Sequence, residues 1–305
     1  MSETCNEKMG MGWLPDYPDF RDHTVNSEEV PSRLKVMGKK ESIKTMLAKV
    51  GKVKAVRKSL PGSMDLREWF SPIENQGSLG SCTANAGVGL LEYFEKRAMG
   101  KHIDASRLFL YKASRNLAHV KGDTGSFLRT TMSALVLFGV PPEEYWPYVI
   151  EDFDKEPTAF CYAFAQNYQA IDYYRLDPPG ISESDLLKSV KTNLAKGLPS
   201  MFGFTVFSSY QQDEKSGKIP YPSTGDKSVG GHAVIAAGFD DKMKIKNKAR
   251  GAKETMGALL IRNSWGESWG DHGYGWLPYE YVLKGLAVDW WSLMKSEWVN
   301  TGNFD

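Results

Sequence analysis

The stretch Asn75-Gln76-Gly77-Ser78-Leu79-Gly80-Ser81-Cys82 decides how the rest of the chain is read. It is a glycine-punctuated loop that runs directly into Cys82–Met99, where Ala84, Val88 and Leu91 share one helical face with Leu90 and Phe94 beside them. Cys82 therefore stands at a helix N-terminus. Unpaired backbone N–H groups and the helix dipole favour an anion there. A thiolate is an anion, so the position predicts a lowered thiol pKa and a nucleophile. The same N–H groups can hold a developing oxyanion. A free Cys is also commonly a small buried hydrophobe, and local context alone leaves the two readings even. Gly87 and Gly89 would each cost roughly 1 kcal/mol in an exposed helix. A helix buried against a second layer can use them for close approach.

Working outward, Leu60-Pro61-Gly62-Ser63 is a turn signal and marks the start of the main domain. From there to about residue 178 the pattern is mostly helical, with further helices expected over Ser106–Leu117 and Ser126–Leu137, the latter stopped by Pro141-Pro142. The second half changes period. Ile171–Tyr174, Ser200–Phe207, His232–Phe239, Ala258–Arg262 and Gly273–Leu277 read as strands, with a helix over Ser182–Lys196. A helical lobe over about 75–170 and a strand-rich lobe over about 171–290 imply an α+β fold with a cleft where the halves meet. The division expected is a 1–59 extension followed by a 60–305 catalytic domain.

A nucleophilic Cys needs a base, and the base needs an orienter. His232 opens the apolar run Gly230-Gly231-His232-Ala233-Val234-Ile235, and the glycines before it permit close backbone approach. Asn263 ends a strand in Arg262-Asn263-Ser264-Trp265-Gly266-Glu267-Ser268-Trp269-Gly270. An amide oxygen can accept from a ring N–H and fix the tautomer, and Trp265 could shield that bond from water. The bland readings are a satisfied sheet histidine and a Trp-rich turn.

Taken together and in order, these blocks resemble the papain-like cysteine peptidases, bacterial branch. Gln76-x5-Cys82 looks like that family's oxyanion glutamine and nucleophile. Gly231-His232-Ala233-Val234 looks like its histidine block, and Asn263-Ser264-Trp265-Gly266-x-x-Trp269-Gly270 its asparagine block. Trp146-Pro147-Tyr148 is similar to a further segment between them. The resemblance covers about residues 60–285. It implies a two-lobed fold, a helical left domain and an antiparallel β-barrel-like right domain, with the active site between them. It implies a thiol protease, an endopeptidase by default, made as a zymogen. Cys82, His232 and Asn263 would be catalytic. Gln76 and the Cys82 N–H would form the oxyanion hole, with Trp265 and Trp269 in support. Gly125, Gly231 and Ala233 would line a cleft for an extended polypeptide, Gly125 on its unprimed side. A transpeptidase or amidase with the same residues, or an inert binding module on the same fold, are the alternatives.

The chain also departs from that pattern. Thr83 stands where the family usually has Trp, and Leu79 where it has a disulfide-forming Cys, so Cys161 lacks a partner. Asp240–Thr255 is Lys-rich and reads as a protruding hairpin or surface loop. Trp13–Phe20, with Pro15, Pro18 and three aromatics, either plugs the cleft or packs on the domain's flank. Glu41–Arg57 places Ile43, Leu47 and Val50 at helical spacing, and the Trp-rich tail around Trp290, Trp291 and Trp298 is expected to pack on the strand-rich lobe.

Composition sets the remaining limits. Of 305 residues, 41% are hydrophobic and 25% charged, which excludes wholesale disorder. A formal charge of +1 argues against a nucleic-acid partner. The Lys35–Lys58 run carries nine Lys or Arg and one Glu, but has no interleaved aromatic platform. Three Cys, an odd and low count, do not make a secreted disulfide framework. Neither a signal peptide nor a membrane-spanning run is seen. The expectation is a cytoplasmic monomer that uses no metal or cofactor.

Overall fold

The computed structural model describes residues 9–30, 35–36, 38, 40–50, 59–169 and 172–304. Cys5, the 51–58 part of the basic run and Ile171 lie outside them. In chain order the elements are β1 (Trp13–Leu14), α1 (Ile43–Lys49), β2 (Ser63–Asp65), α2 (Cys82–Met99), α3 (Arg107–Leu117), β3 (Ser126–Phe127), α4 (Leu128–Leu137) and α5 (Ala159–Ala165). They continue with β4 (Asp172–Arg175), α6 (Glu183–Ala195), β5 (Ser200–Phe207), β6 (Ser228–Lys246), β7 (Glu254–Arg262), β8 (Tyr274–Pro278), α7 (Tyr279–Leu283), β9 (Ala287–Met294) and α8 (Ser296–Val299).

The helical lobe is built around α2. Its apolar residues run all the way round, and a helix of that kind must be buried. It packs on α3 and α4 on one side and on β5 and β6 on the other. The two internal glycines make those approaches possible. A Cβ on Gly87 would sit 2.9 Å from the Thr131 methyl, and one on Gly89 2.9 Å from the Arg262 guanidinium. Gly100 ends α2 in a left-handed conformation, its N–H returned to the Lys96 carbonyl. Ser106 and Ser182 cap α3 and α6 through their side-chain oxygens.

The strand-rich lobe is one antiparallel sheet in the order β4-β9-β5-β6-β7-β8, with β2 added alongside β6. It is not the barrel expected from the resemblance. The two end strands do not pair with each other, and each free edge is met by a short segment instead. Thr24 bridges Arg175 beside β4, and Lys218 bridges Trp276 beside β8. β6 runs on to Lys246 and pairs with β7 across two irregularities in register. The Lys-rich segment is thus the far end of a β-hairpin. The tail is buried, but in two places. Trp290 stacks on Phe202 in the sheet at 3.9 Å, while Trp298 stacks on Phe94 of α2 at 5.3 Å.

The N-terminal segment lies across the junction of the lobes. β1 pairs in parallel with β3, Trp13 opposite Ser126 and Leu14 opposite Phe127. Further along, Arg129 and Arg175 hold Asp22, Arg129 also meets Asp16, and Arg175 donates to the Asp16 carbonyl.

Candidate active site

Cys82 is the first residue of α2 and is fully buried. The loop before it is pinned from several sides. Asp123 accepts the Gly80 N–H at 3.0 Å and the Tyr111 hydroxyl at 2.6 Å, and Tyr111 in turn accepts the Gly125 N–H at 3.1 Å. Tyr148, from the Trp146-Pro147-Tyr148 segment, lies 2.6 Å from the Ser81 hydroxyl and donates to the Gln76 carbonyl at 3.0 Å. These contacts fix the residue before Cys82 and join its loop to the segment at Gly125.

His232 reaches the site from β6, paired with Phe204 on β5. Its Nε2 is 2.7 Å from the Asn263 side-chain oxygen, an oxygen that also accepts the Ser264 N–H at 2.8 Å. An amide oxygen can only accept, so the Nε2 carries the proton. Nδ1 has no hydrogen-bond partner, which leaves it free to take a proton. Trp265 stacks on the imidazole, centroids 4.5 Å apart, and Trp269 packs edge-on against Trp265 at 5.5 Å. Both indoles keep water off the His232–Asn263 bond, which strengthens it. The Ala233 side chain is buried rather than lining an open cleft.

Gln76 is oriented by Ser264, whose hydroxyl donates to its Oε1 at 2.6 Å. Its amide nitrogen donates to the Leu79 carbonyl at 2.8 Å and to the Gly10 carbonyl at 3.1 Å. The second hydrogen is the one that could meet an oxyanion, and Gly10 occupies it.

The extension fills the rest of the site. The Gly12 N–H meets the Cys82 sulfur at 3.3 Å, the Gly10 N–H donates to the Gly77 carbonyl, and the Ser126 N–H donates to the Gly12 carbonyl at 2.8 Å. Trp13 enters a pocket where its ring lies over Gly203 and Gly231, and its indole N–H reaches Asp289 Oδ2 at 3.1 Å. The expected plug, Trp13–Phe20, is therefore corrected at both ends. Gly12 does the covering at the sulfur and Gly10 at Gln76, Trp13 alone of the three aromatics inserts, and Tyr17 and Phe20 are exposed. Gly10 and Gly12 carried no sequence signal beyond being glycines. A Cβ on Gly12 would fall 1.9 Å from the Gly80 carbonyl oxygen, and on Gly10 2.2 Å from that of Leu79.

That cover reverses the electrostatics expected at Cys82. The N–H groups of Cys82 and Thr83 at the helix start do pull the thiol pKa down, but burial outweighs them and pushes it up to about 11. Burial likewise pulls His232 down to about 4, against the smaller opposing effect of Asn263. Burial in this closed arrangement thus disfavours both the thiolate and the imidazolium.

Cys161 is buried on α5 with the Thr158 hydroxyl on its sulfur, and like Cys82 it is free. Among the described residues, no group of three or more His, Cys, Asp and Glu side chains could hold a metal ion, and no helix is long and apolar enough to cross a membrane.

Comparison with known proteins gives the arrangement its context. An uncharacterized peptidase C1-like protein of Acanthamoeba polyphaga mimivirus is 30% identical over 99% of this chain and 92% of its own. Cathepsin L2 of Homo sapiens is 29% identical over 70% of this chain, which spans 60% of that protein. The crystal structure of xylellain, a cysteine protease from Xylella fastidiosa, superposes with a TM-score of 0.69 at 31% identity, covering 95% of this chain and 97% of that one. Coverage of 95% and 99% includes most of the extension, whereas the cathepsin match does not span the whole chain. The sequence profile described as "Papain family cysteine protease" matches residues 60–283. The chain belongs to the papain family of cysteine peptidases.

Proposed function

We propose that this cysteine peptidase cleaves extended polypeptides internally, using Cys82, His232, Asn263 and Gln76, and that residues 10–13 hold it at rest until they are displaced. The observation that carries the catalytic reading is the His232–Asn263 pair. Nε2 is committed to Asn263, and Nδ1 is left without a hydrogen-bond partner, able to take a proton.

With the cover displaced, water returns, the cost of burying charge falls, and the thiol proton passes to Nδ1 of His232. The Cys82 thiolate adds to the scissile carbonyl carbon. The resulting oxyanion takes the Gln76 amide hydrogen that Gly10 now occupies, together with the Cys82 N–H. Collapse expels the amine, which takes its proton from Nδ1. A water molecule deprotonated by His232 then attacks the thioester and frees the acid. Asn263 holds the ring in one tautomer throughout.

Chain direction supports the reading of the extension as a cover and not a substrate. If the acyl side of the cleft is the Gly125 side, a substrate runs from the Trp13 pocket toward Cys82. Residues 12–14 run the opposite way. An amide N–H, not a carbonyl carbon, faces the sulfur.

The test is a diverse mixture of unfolded peptides incubated, under reducing conditions, with the full chain, with Gly12→Val, and with Gly12→Val/Cys82→Ala. Mass spectrometry locates new termini. Cleavage by Gly12→Val that vanishes without Cys82, and that far exceeds cleavage by the unaltered chain, is expected. Equal cleavage by the first two overturns the covering role. Folded Gly12→Val that cleaves nothing overturns the broad-endopeptidase reading.

A further inference from the structure

Asn85 lies one turn along α2 from Cys82 and is buried. Its Nδ2 donates to the Ser81 carbonyl at 3.0 Å and to the Ser81 hydroxyl at 3.1 Å. A carbonyl can only accept, so the amide is fixed with its nitrogen toward Ser81 and its oxygen on the other side. Among the described residues, that oxygen has no hydrogen-bond partner. Asn263 is the opposite case. Its oxygen accepts the Ser264 N–H and faces Nε2 of His232, which orients the amide and leaves a buried Nδ2 without an acceptor. A buried donor or acceptor left unpaired carries the cost of its desolvation.

The two amides line the same small cavity, about 10 Å³ in volume, the size that admits a single water molecule. Arg262 lines it too. One of its terminal nitrogens donates to the Ser71 hydroxyl at 3.0 Å, while its Nε has no partner. Glu74 completes the polar lining, its carboxylate paired with Arg107 at 2.8 Å. Apolar cavities of this kind stay dry, whereas a water held by about three polar groups is part of the fold. Here the three unpaired atoms match one water in kind: it accepts from Asn263 Nδ2 and Arg262 Nε and donates to Asn85 Oδ1.

The consequence falls on His232. An Asn263 amide not held at Nδ2 can turn over, losing the Ser264 bond and presenting its NH2 to Nε2. The ring would then carry its proton on Nδ1, the nitrogen that has to take the thiol proton. We propose that Asn85 is a positioning residue, which through one buried water holds the Asn263 amide and so keeps the proton of His232 on Nε2. The inference deepens the proposed peptidase function and rests on it for the reaction being served, but not for the water or the tautomer.

Three measurements test it. In atomic-resolution crystals of the full chain, a water is expected within hydrogen-bond distance of both Asn85 Oδ1 and Asn263 Nδ2. A dry cavity, or a water that misses either amide, overturns the proposal. Second, proton–nitrogen correlation NMR of the full chain with isotope-labelled histidine reads the His232 tautomer, assigned by the signal lost in His232→Gln. Asn85→Leu removes the acceptor and fills the cavity, whereas Asn85→Ser leaves room for a second water. Both lose the bonds to Ser81, so the difference between them reads the water and not the loop. The unaltered chain and Asn85→Ser should keep the proton on Nε2, and Asn85→Leu should place part of it on Nδ1. One tautomer in all three, or the same shift in both variants, overturns the proposal. Third, beside Gly12→Val, Asn85→Leu should lower kcat on a peptide, and slow iodoacetamide labelling of Cys82, by about tenfold with KM little changed, and Asn85→Ser should restore most of both. The expected water and tautomers in a chain that hydrolyses no peptide sink the peptidase reading and leave the positioning standing. Hydrolysis that Asn85→Leu does not slow does the reverse.

Discussion

The backbone N–H of Gly12 meets the Cys82 sulfur at 3.3 Å, so a segment 70 residues earlier in the chain covers the thiol. This contact helps stabilise a thiolate, yet the water it excludes matters more, and the thiol pKa rises from an ordinary 9.0 to about 11. The sign follows from where the proton sits. Between pH 9 and 11 the covered thiol keeps a proton that the thiol of the unfolded chain would release. Unfolding then releases a proton, and the folded state loses this part of its stability as pH rises through that window. Iodoacetamide labelling of Cys82 in the full chain should be slow at neutral pH and climb toward pH 11. Labelling of the full chain at neutral pH as fast as that of Gly12→Val would show that the cover does not control the thiol.

Gly12→Val offers a way to open the site without touching the catalytic side chains. A Cβ there would overlap the Gly80 carbonyl, a backbone atom that cannot swing aside. The segment must lift, and neutral-pH labelling of Cys82 should rise by at least an order of magnitude. Gly62→Val is the matched control, because nothing lies within 4 Å of a Cβ at Gly62. Similar labelling in both variants would show that the lift does not come from the clash.

Cys82 at the start of α2 and the His232–Asn263 pair could be singled out in the sequence because each residue sits in a short block with a distinctive local pattern: a loop entering a helix, glycines before a strand, a strand end rich in Trp. The cover was not legible in the same way. Gly12 and Cys82 are 70 residues apart and joined through a backbone N–H, which any residue but proline supplies. Asp289 was hidden in a Trp-rich tail. Its contact with Trp13 appears only when β9 lies beside β5, with Val288 opposite Gly203. The barrel failed for a different reason. Strand patterns fix which segments are extended, but closure depends on what meets the two end strands, and here Thr24 and Lys218 do. The lowered thiol pKa followed soundly from the start of α2 but omitted the competing burial.

Gln76→Ala in the Gly12→Val background should lower kcat by about 10²–10³, equivalent to about 2.7–4 kcal/mol of barrier. The side chain donates to Gly10 at the place where an oxyanion donor is required, so KM should move much less than kcat. A loss confined to KM would place Gln76 in substrate binding.

Arg175 carries the last prediction, one of stability. Its side chain is 1% exposed and lies within 3.6 Å of carboxylate oxygens of Asp22, Asp177 and Asp289. Replacing it with Met keeps much of the stem but leaves buried carboxylates without their cation. Breaking a buried pair from one side typically costs about 3–5 kcal/mol, because the remaining charge stays desolvated. Urea unfolding of Arg175→Met should show a loss of that size. Arg175→Met/Asp177→Asn should recover part of it, since one orphaned charge is then gone. No recovery in the double variant would mean that the cost lies in lost packing against Trp291, over which the guanidinium sits at 4.9 Å, and not in the uncompensated carboxylates.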